Sequence, residues 1–157
     1  MSSVTVAREN NIGIITLNNP GIHNAIKIED FKIISSALLS WRDSQLDAIL
    51  ITGTGQSFCS GLFLDEFDSK SWDKNPISII CDNIESSVCP VICALNGGVY
   101  GGAVEIALSC DFRIANNKIL LNVPAANLGV HYEPTGLNRA INILGPSMTR
   151  RIFLLGQ

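Results

Sequence analysis

Residues 90–115, PVICALNGGVYGGAVEIALSCDFRIA, constrain the fold of this chain more than any other stretch. The apolar run 91–95 has strand length, and Asn96-Gly97-Gly98 ends it with a strong turn signal. A second glycine pair, Gly101-Gly102, opens a segment in which Val104, Ala107 and Leu108 recur at helical spacing. The reading is strand, glycine-rich loop, helix. The first N–H groups of such a helix lack intrahelical partners, and the helix dipole lets them hold an anion or an oxygen that becomes anionic in a reaction. Glu105 stands one turn in, where a carboxylate can act as acid or base beside that oxygen. The alternative is a helix that uses glycine for close packing and carries a surface glutamate in its first turn.

The rest of the chain alternates strand and helix patterns, so it is α/β and not all-β. Residues 4–7 and 12–17 read as a hairpin around Glu9-Asn10-Asn11. From Ile28, an apolar face of Ile28, Phe31, Ile34, Leu38 and Trp41 opposes Glu29, Asp30, Lys32, Ser35 and Ser36, which marks an amphipathic helix. The apolar run 48–52 is a strand, and the helix between two strands makes a βαβ-type crossover. Residues 53–57 read as loop and 58–62 as a compact turn. A polar stretch at 65–74 reads as a lid or a solvated connector, and residues 77–87 as a helix with Ile77, Ile80, Cys81 and Ile84 inward. Residues 119–123 form another strand, and Gly145-Pro146 separates helices at 135–144 and 147–155.

Composition narrows the function classes. The chain has 157 residues, is 46% hydrophobic and only 16% charged, and carries a net charge of −3 without a basic cluster. That balance supports a packed core in one domain and argues against nucleic acid or an anionic membrane as partner. No apolar run approaches a bilayer span and the first residues lack a signal-like pattern, so a cytoplasmic location is expected. Five cysteines without a CxxC pair suit reduced, buried thiols, and with only His23 and His131 available no metal site is expected. Cys59 has no sequence-adjacent histidine to activate it, no GxSxG is present, and Asp111, where the helix meets a strand, reads as a cap or pairing residue.

FCSGLFL (58–64), the 90–115 block and LNVPAANLGVHYEPTGLNRAINILG (121–145) together resemble the successive motifs of the crotonase, or enoyl-CoA hydratase/isomerase, superfamily. The resemblance runs from about Val4 to the C-terminus and covers residues 1–157 as one crotonase-like core domain. It implies a spiral of ββα units and a coenzyme A thioester substrate, with no permanently bound cofactor. It also implies an oxyanion hole made by the N–H groups of Leu62, after Ser60-Gly61, and Gly102, after Gly101. Asn24 and Ala25 match the segment that lines the coenzyme A path, and Lys27 is a weak candidate for holding the cofactor's phosphates.

Of the two glutamates that hydratases use, Glu105 matches the first, but Ala125 occupies the place of the second. Alanine cannot carry a proton. Glu133 falls where the dienoyl-CoA isomerase branch has an acid, which implies a pair, Glu105 and Glu133, that removes and returns protons, with His131 and Tyr132 as possible donors. The alternatives are a thioester hydrolase or decarboxylase with the same oxyanion hole, or a catalytically silent acyl-CoA-binding or assembly subunit. The chain ends where family members continue into helices over the acyl pocket. The expectation is therefore an exposed apolar face of Ile141, Ile143, Leu144, Ile152, Phe153 and Leu154, and a homo-oligomer, a trimer or hexamer, where those helices are present or replaced.

Overall fold

The computed structural model describes residues 3–66 and 73–156. Among them the elements follow one rhythm, strand, strand, helix, four times over. The first two units are β1 (Val4–Glu9), β2 (Ile12–Leu17) and α1 (Ile28–Ser40), then β3 (Ala48–Gly53), β4 (Ser57–Cys59) and α2 (Pro76–Glu85). The last two are β5 (Val91–Leu95), β6 (Gly98–Tyr100) and α3 (Gly102–Ser109), then β7 (Phe112–Ala115), β8 (Leu121–Asn122) and α4 (Pro134–Leu155). This is the expected α/β spiral of ββα units.

The strands sort into two sheets. One has the order β1-β2-β3-β5-β7, antiparallel at β1/β2 and parallel beyond, and the other is a parallel trio, β4-β6-β8. Strands β2 and β5 alternate buried and half-buried residues, as strands with one face on a core must. Ile15, Ile49, Ile51, Val91 and Cys93 are buried there together with Ile34 and Leu38 of α1 and Ile77, Ile80 and Ile84 of α2. Each such large aliphatic side chain contributes about 1.5–3 kcal/mol by leaving water. α3 is buried along nearly its whole length, from Ala103 to Ser109.

Several elements differ from their sequence patterns. β4 and β6 replace an expected turn and loop; each has three residues, too few for alternation to register. Glycine is required beside them, because a Cβ at Gly97 would lie 2.0 Å from the Gln56 carbonyl oxygen. α4 runs as one element that breaks at Gly145, where φ is 76° and ψ 164°, so the two expected helices meet at a kink. Asp30, expected on the polar face of α1, is buried, because its Oδ2 accepts the Lys27 N–H at 3.0 Å and its Oδ1 accepts the Ser3 hydroxyl. Asp111 does pair, its Oδ2 accepting the Val91 N–H at 2.8 Å.

The expected exposed face at the C-terminus is divided. Ile141, Ile143 and Leu154 are exposed, whereas Ile152 and Phe153 are buried and Leu144 packs against the core. After the kink, the second half of α4 turns those two residues inward. Of the stretch at 65–74, residues 64–66 form a short 3₁₀ turn and residues 67–72 lie outside the described residues. No described helix is long and apolar enough to cross a membrane.

Asn24 ties the first unit to the second. It is 2% exposed and left-handed at φ 55°, and its amide donates to the carbonyls of Thr54 at 2.9 Å, Ser57 at 2.9 Å and Phe58 at 3.1 Å. Its Oδ1 accepts the Asn19 N–H at 2.8 Å. Asn24→Ala is expected to lower stability by roughly 2–3 kcal/mol, because it strands buried partners. Urea denaturation with an unchanged m-value would check this.

Candidate active site

Two glycine turns meet at one end of α3. Gly61 (φ 86°) follows β4 and Gly101 (φ 55°) follows β6, both in conformations that side chains resist. They pack so closely that a Cβ on Gly61 would lie 2.9 Å from the Gly102 nitrogen. Gly102 is the first residue of α3, so its N–H has no intrahelical acceptor. Leu62 forms a parallel bridge with Ile26, but that bridge uses the Gly61 carbonyl and the Phe63 N–H. Among the described residues, neither the Leu62 nor the Gly102 N–H is given to a protein acceptor.

Both residues line a cavity of about 260 Å³. Ser60, Tyr100 and Gly101 share that end, Leu64, Ile77, Val123, Leu128 and Val130 supply apolar wall, and Glu105, His131, Tyr132 and Glu133 bring polar groups. Ala125 is also in the wall. The cavity therefore gathers Leu62, Gly102, Ser60, Gly101, Glu105 and Glu133 of the residues singled out from the sequence. It leaves out Asn24, Ala25 and Gly61: the first two are buried in the core and Asn24 spends its side chain on the turn described above. Lys27 lies 3.6 Å from Glu66 and over the Phe63 ring at 5.0 Å.

Glu105 is 2% exposed, yet neither carboxylate oxygen is alone. Oε1 accepts Arg139 Nη1 at 2.7 Å and Oε2 accepts the Tyr132 hydroxyl at 3.0 Å. Burial pushes its pKa above the ordinary carboxylate value, and Tyr132 and Arg139 pull against that shift. Burial, with Glu105 beside it, also raises Tyr132, which keeps the phenol protonated as a donor. Its ring stands edge-on to Phe153, with centroids 4.7 Å apart. Gly136 makes the room, since a Cβ there would lie 2.5 Å from Glu105 Oε2.

Glu133 precedes α4 as its N-cap, and its Oε2 accepts the buried Ser78 hydroxyl at 2.7 Å. Ser78 shares one face of α2 with Asp82 and Glu85, at the i, i+4 and i+7 positions. Those two acids hold the outer edge of Arg139: Nε meets Glu85 Oε1 at 2.8 Å, and Nη2 bonds Asp82 and, at 3.1 Å, Glu85 Oε2. Sequence reasoning passed over Arg139, Ser78 and Gly136. For Arg139 a signal existed, as it is the one charged residue between Glu133 and Arg150. Cys59 is buried and its thiol is pushed up to about 12 by that burial, which disarms it as a nucleophile.

The three strands of the small sheet feed this site in turn. Leu62 follows β4, Gly102 and Glu105 follow β6, and Glu133 follows β8.

The same architecture occurs in solved structures. An enoyl-CoA hydratase from Bacillus anthracis matches 99% of this chain and 64% of its own at a TM-score of 0.89 and 23% identity, which speaks to the fold. An enoyl-CoA hydratase subunit from Geobacillus kaustophilus matches 99% of this chain and 62% of its own at 0.86 and 28% identity. By sequence, the short-chain-enoyl-CoA hydratase of Clostridium acetobutylicum is 27% identical over 100% of this chain, which spans 63% of that relative's length. A family model for enoyl-CoA hydratase/isomerase matches residues 7–157. With a match of that extent over a fold of interleaved ββα units, the chain belongs to the enoyl-CoA hydratase/isomerase family.

Proposed function

We propose that the site binds an acyl-CoA thioester and shifts a proton along its acyl chain, as an isomerase rather than a two-glutamate hydratase. One observation carries the reading: Glu105 and Glu133 line the same cavity as Leu62 and Gly102, while Ala125, which the resemblance sets at the place of the hydratases' second glutamate, is also in its wall. The thioester carbonyl oxygen would sit between the two N–H groups. Each donor aimed at the developing enolate oxygen lowers the barrier by roughly 3 kcal/mol. Of the two carboxylates, one takes a proton alpha or gamma to the thioester and the other returns one elsewhere, so the double bond moves and the composition is unchanged. Glu105, with a guanidinium beside it, is suited to take the first proton.

Ala125 also favours a second reading, in which the same oxyanion hole serves hydrolysis or decarboxylation, or holds acyl-CoA without turnover. Product analysis separates these. Assembly into a homo-oligomer belongs with the first reading, and exposed Phe112 and Ile114 on β7 with Ile141 and Ile143 on α4 support it.

Incubation with crotonyl-CoA, 3-enoyl-CoA and dienoyl-CoA, followed by enoyl thioester absorbance, tests the proposal. Glu105→Gln and Glu133→Gln are each expected to lower kcat by about 10²–10⁴-fold; full activity in either variant removes that residue from the mechanism. Because burial raises Glu105, the acidic limb of kcat/KM is expected above the ordinary glutamate value of 4.5, with activity lost as pH falls through it. Gly136→Ala, which displaces the Glu105 carboxylate, is expected to cost about 10²-fold in kcat. A steady-state assay on the folded variant reads this.

A further inference from the structure

The Arg139 guanidinium divides its donors between two environments. Its side chain is 11% exposed; Nε and Nη2 reach outward to Glu85 and Asp82, and Nη1 reaches inward to Glu105, whose side chain is 3% exposed. A pair with Glu85 alone would tie α4 to α2 without any inward N–H. The inward donor meets a carboxylate almost withdrawn from water, and such a group tends to take up a proton unless a cation stands beside it. Gly136, one turn before Arg139 on α4, leaves the gap into which that carboxylate fits. One face of α4 thus supplies both the cation and the space.

We propose that Arg139 is a positioning residue, clamped by Asp82 and Glu85 so that its free edge fixes the Glu105 carboxylate in the cavity and keeps it ionised. The proposal rests on the reading of Glu105 as a proton carrier. The groups that face Glu105 are Cys81 from α2 and Tyr132, Glu133 and Arg139 from the α4 side, while Asp82 and Glu85 of α2 face Arg139. Arg139 is the one cation among them, and His131 lines the same cavity. A lysine cannot replace it in full, because one ammonium lacks the planar fork that spans an outer and an inner carboxylate.

The test is direct titration of Glu105 by carbon-13 NMR of protein labelled at the glutamate carboxyl, its signal assigned by its loss in Glu105→Gln. In Arg139→Gln the Glu105 midpoint is expected to rise by about one pH unit or more. In Arg139→Lys it is expected to rise less. kcat/KM should fall about tenfold or more on the acidic side and recover at high pH, a pattern that a merely structural role would not produce. An unchanged Glu105 midpoint in folded Arg139→Gln, or in Arg139→Lys where the first variant does not fold, overturns the proposal. The titration needs no turnover, so an inactive wild type would sink the isomerase reading alone.

Discussion

A carboxylate buried to within 2% of complete exclusion from water must be compensated, and much of the surrounding structure is arranged around that requirement. Glu105 sits on α3, a helix buried from Ala103 to Ser109, and its two oxygens are met by groups from α4 and from the segment before it. Tyr132 is braced by Phe153, which lies beyond the kink in α4, so even the far half of that helix bears on the carboxylate. α2 contributes from the other side, with Ser78 on Glu133 and Asp82 and Glu85 on Arg139. The packing of three helices and the ionisation of one side chain are therefore one problem. A change in how α2 meets α4 is also a change in the site.

The glycine-turn end of the cavity depends on a different constraint, close approach of backbone to backbone. Gly61 and Gly101 adopt left-handed conformations, and Gly97 lies against the Gln56 carbonyl with no room for a side chain. These contacts bring turns from two separate ββα units within van der Waals reach. Leu62 and Gly102, whose N–H groups have no protein acceptor among the described residues, then line one cavity through backbone packing alone. Donors fixed in that way need no reorganisation when charge develops on a bound oxygen.

How much of this was legible in the sequence follows from which forces leave a local trace. Strands β2, β3 and β5 and the helices α1, α2 and α3 show as periodicity or as apolar runs, because their apolar residues meet the core. β4 and β6 left no such trace, being three residues long and set between glycine-containing turns. Asp30 misled, because a capping hydrogen bond to Lys27 outweighs the exposure its charge implies. Within the site, Glu105 was visible from its place after the glycines, and Glu133 from the motif that follows Pro124. Their partners were not, since the bonds from Arg139 to Glu105 and from Ser78 to Glu133 join positions 34 and 55 residues apart. Asn24 and Ala25 stood in a recognisable motif, and their burial, with the Asn24 amide bonded to three carbonyls, had no local signal.

The small sheet gives the fold a particular freedom. Because β4, β6 and β8 run parallel and side by side, the segments that leave them emerge along a common edge. The β4 and β6 exits are short and held by glycine, so the two N–H donors stay at a fixed spacing. The β8 exit is longer: eleven residues separate Asn122 from Pro134, and Ala125, His131, Tyr132 and Glu133 all lie within them. Insertions or exchanges in that one segment can change which side chains line the cavity without disturbing the spacing of the Leu62 and Gly102 N–H groups. The backbone donors and the acidic side chains of the cavity are in this sense carried on separate parts of the chain.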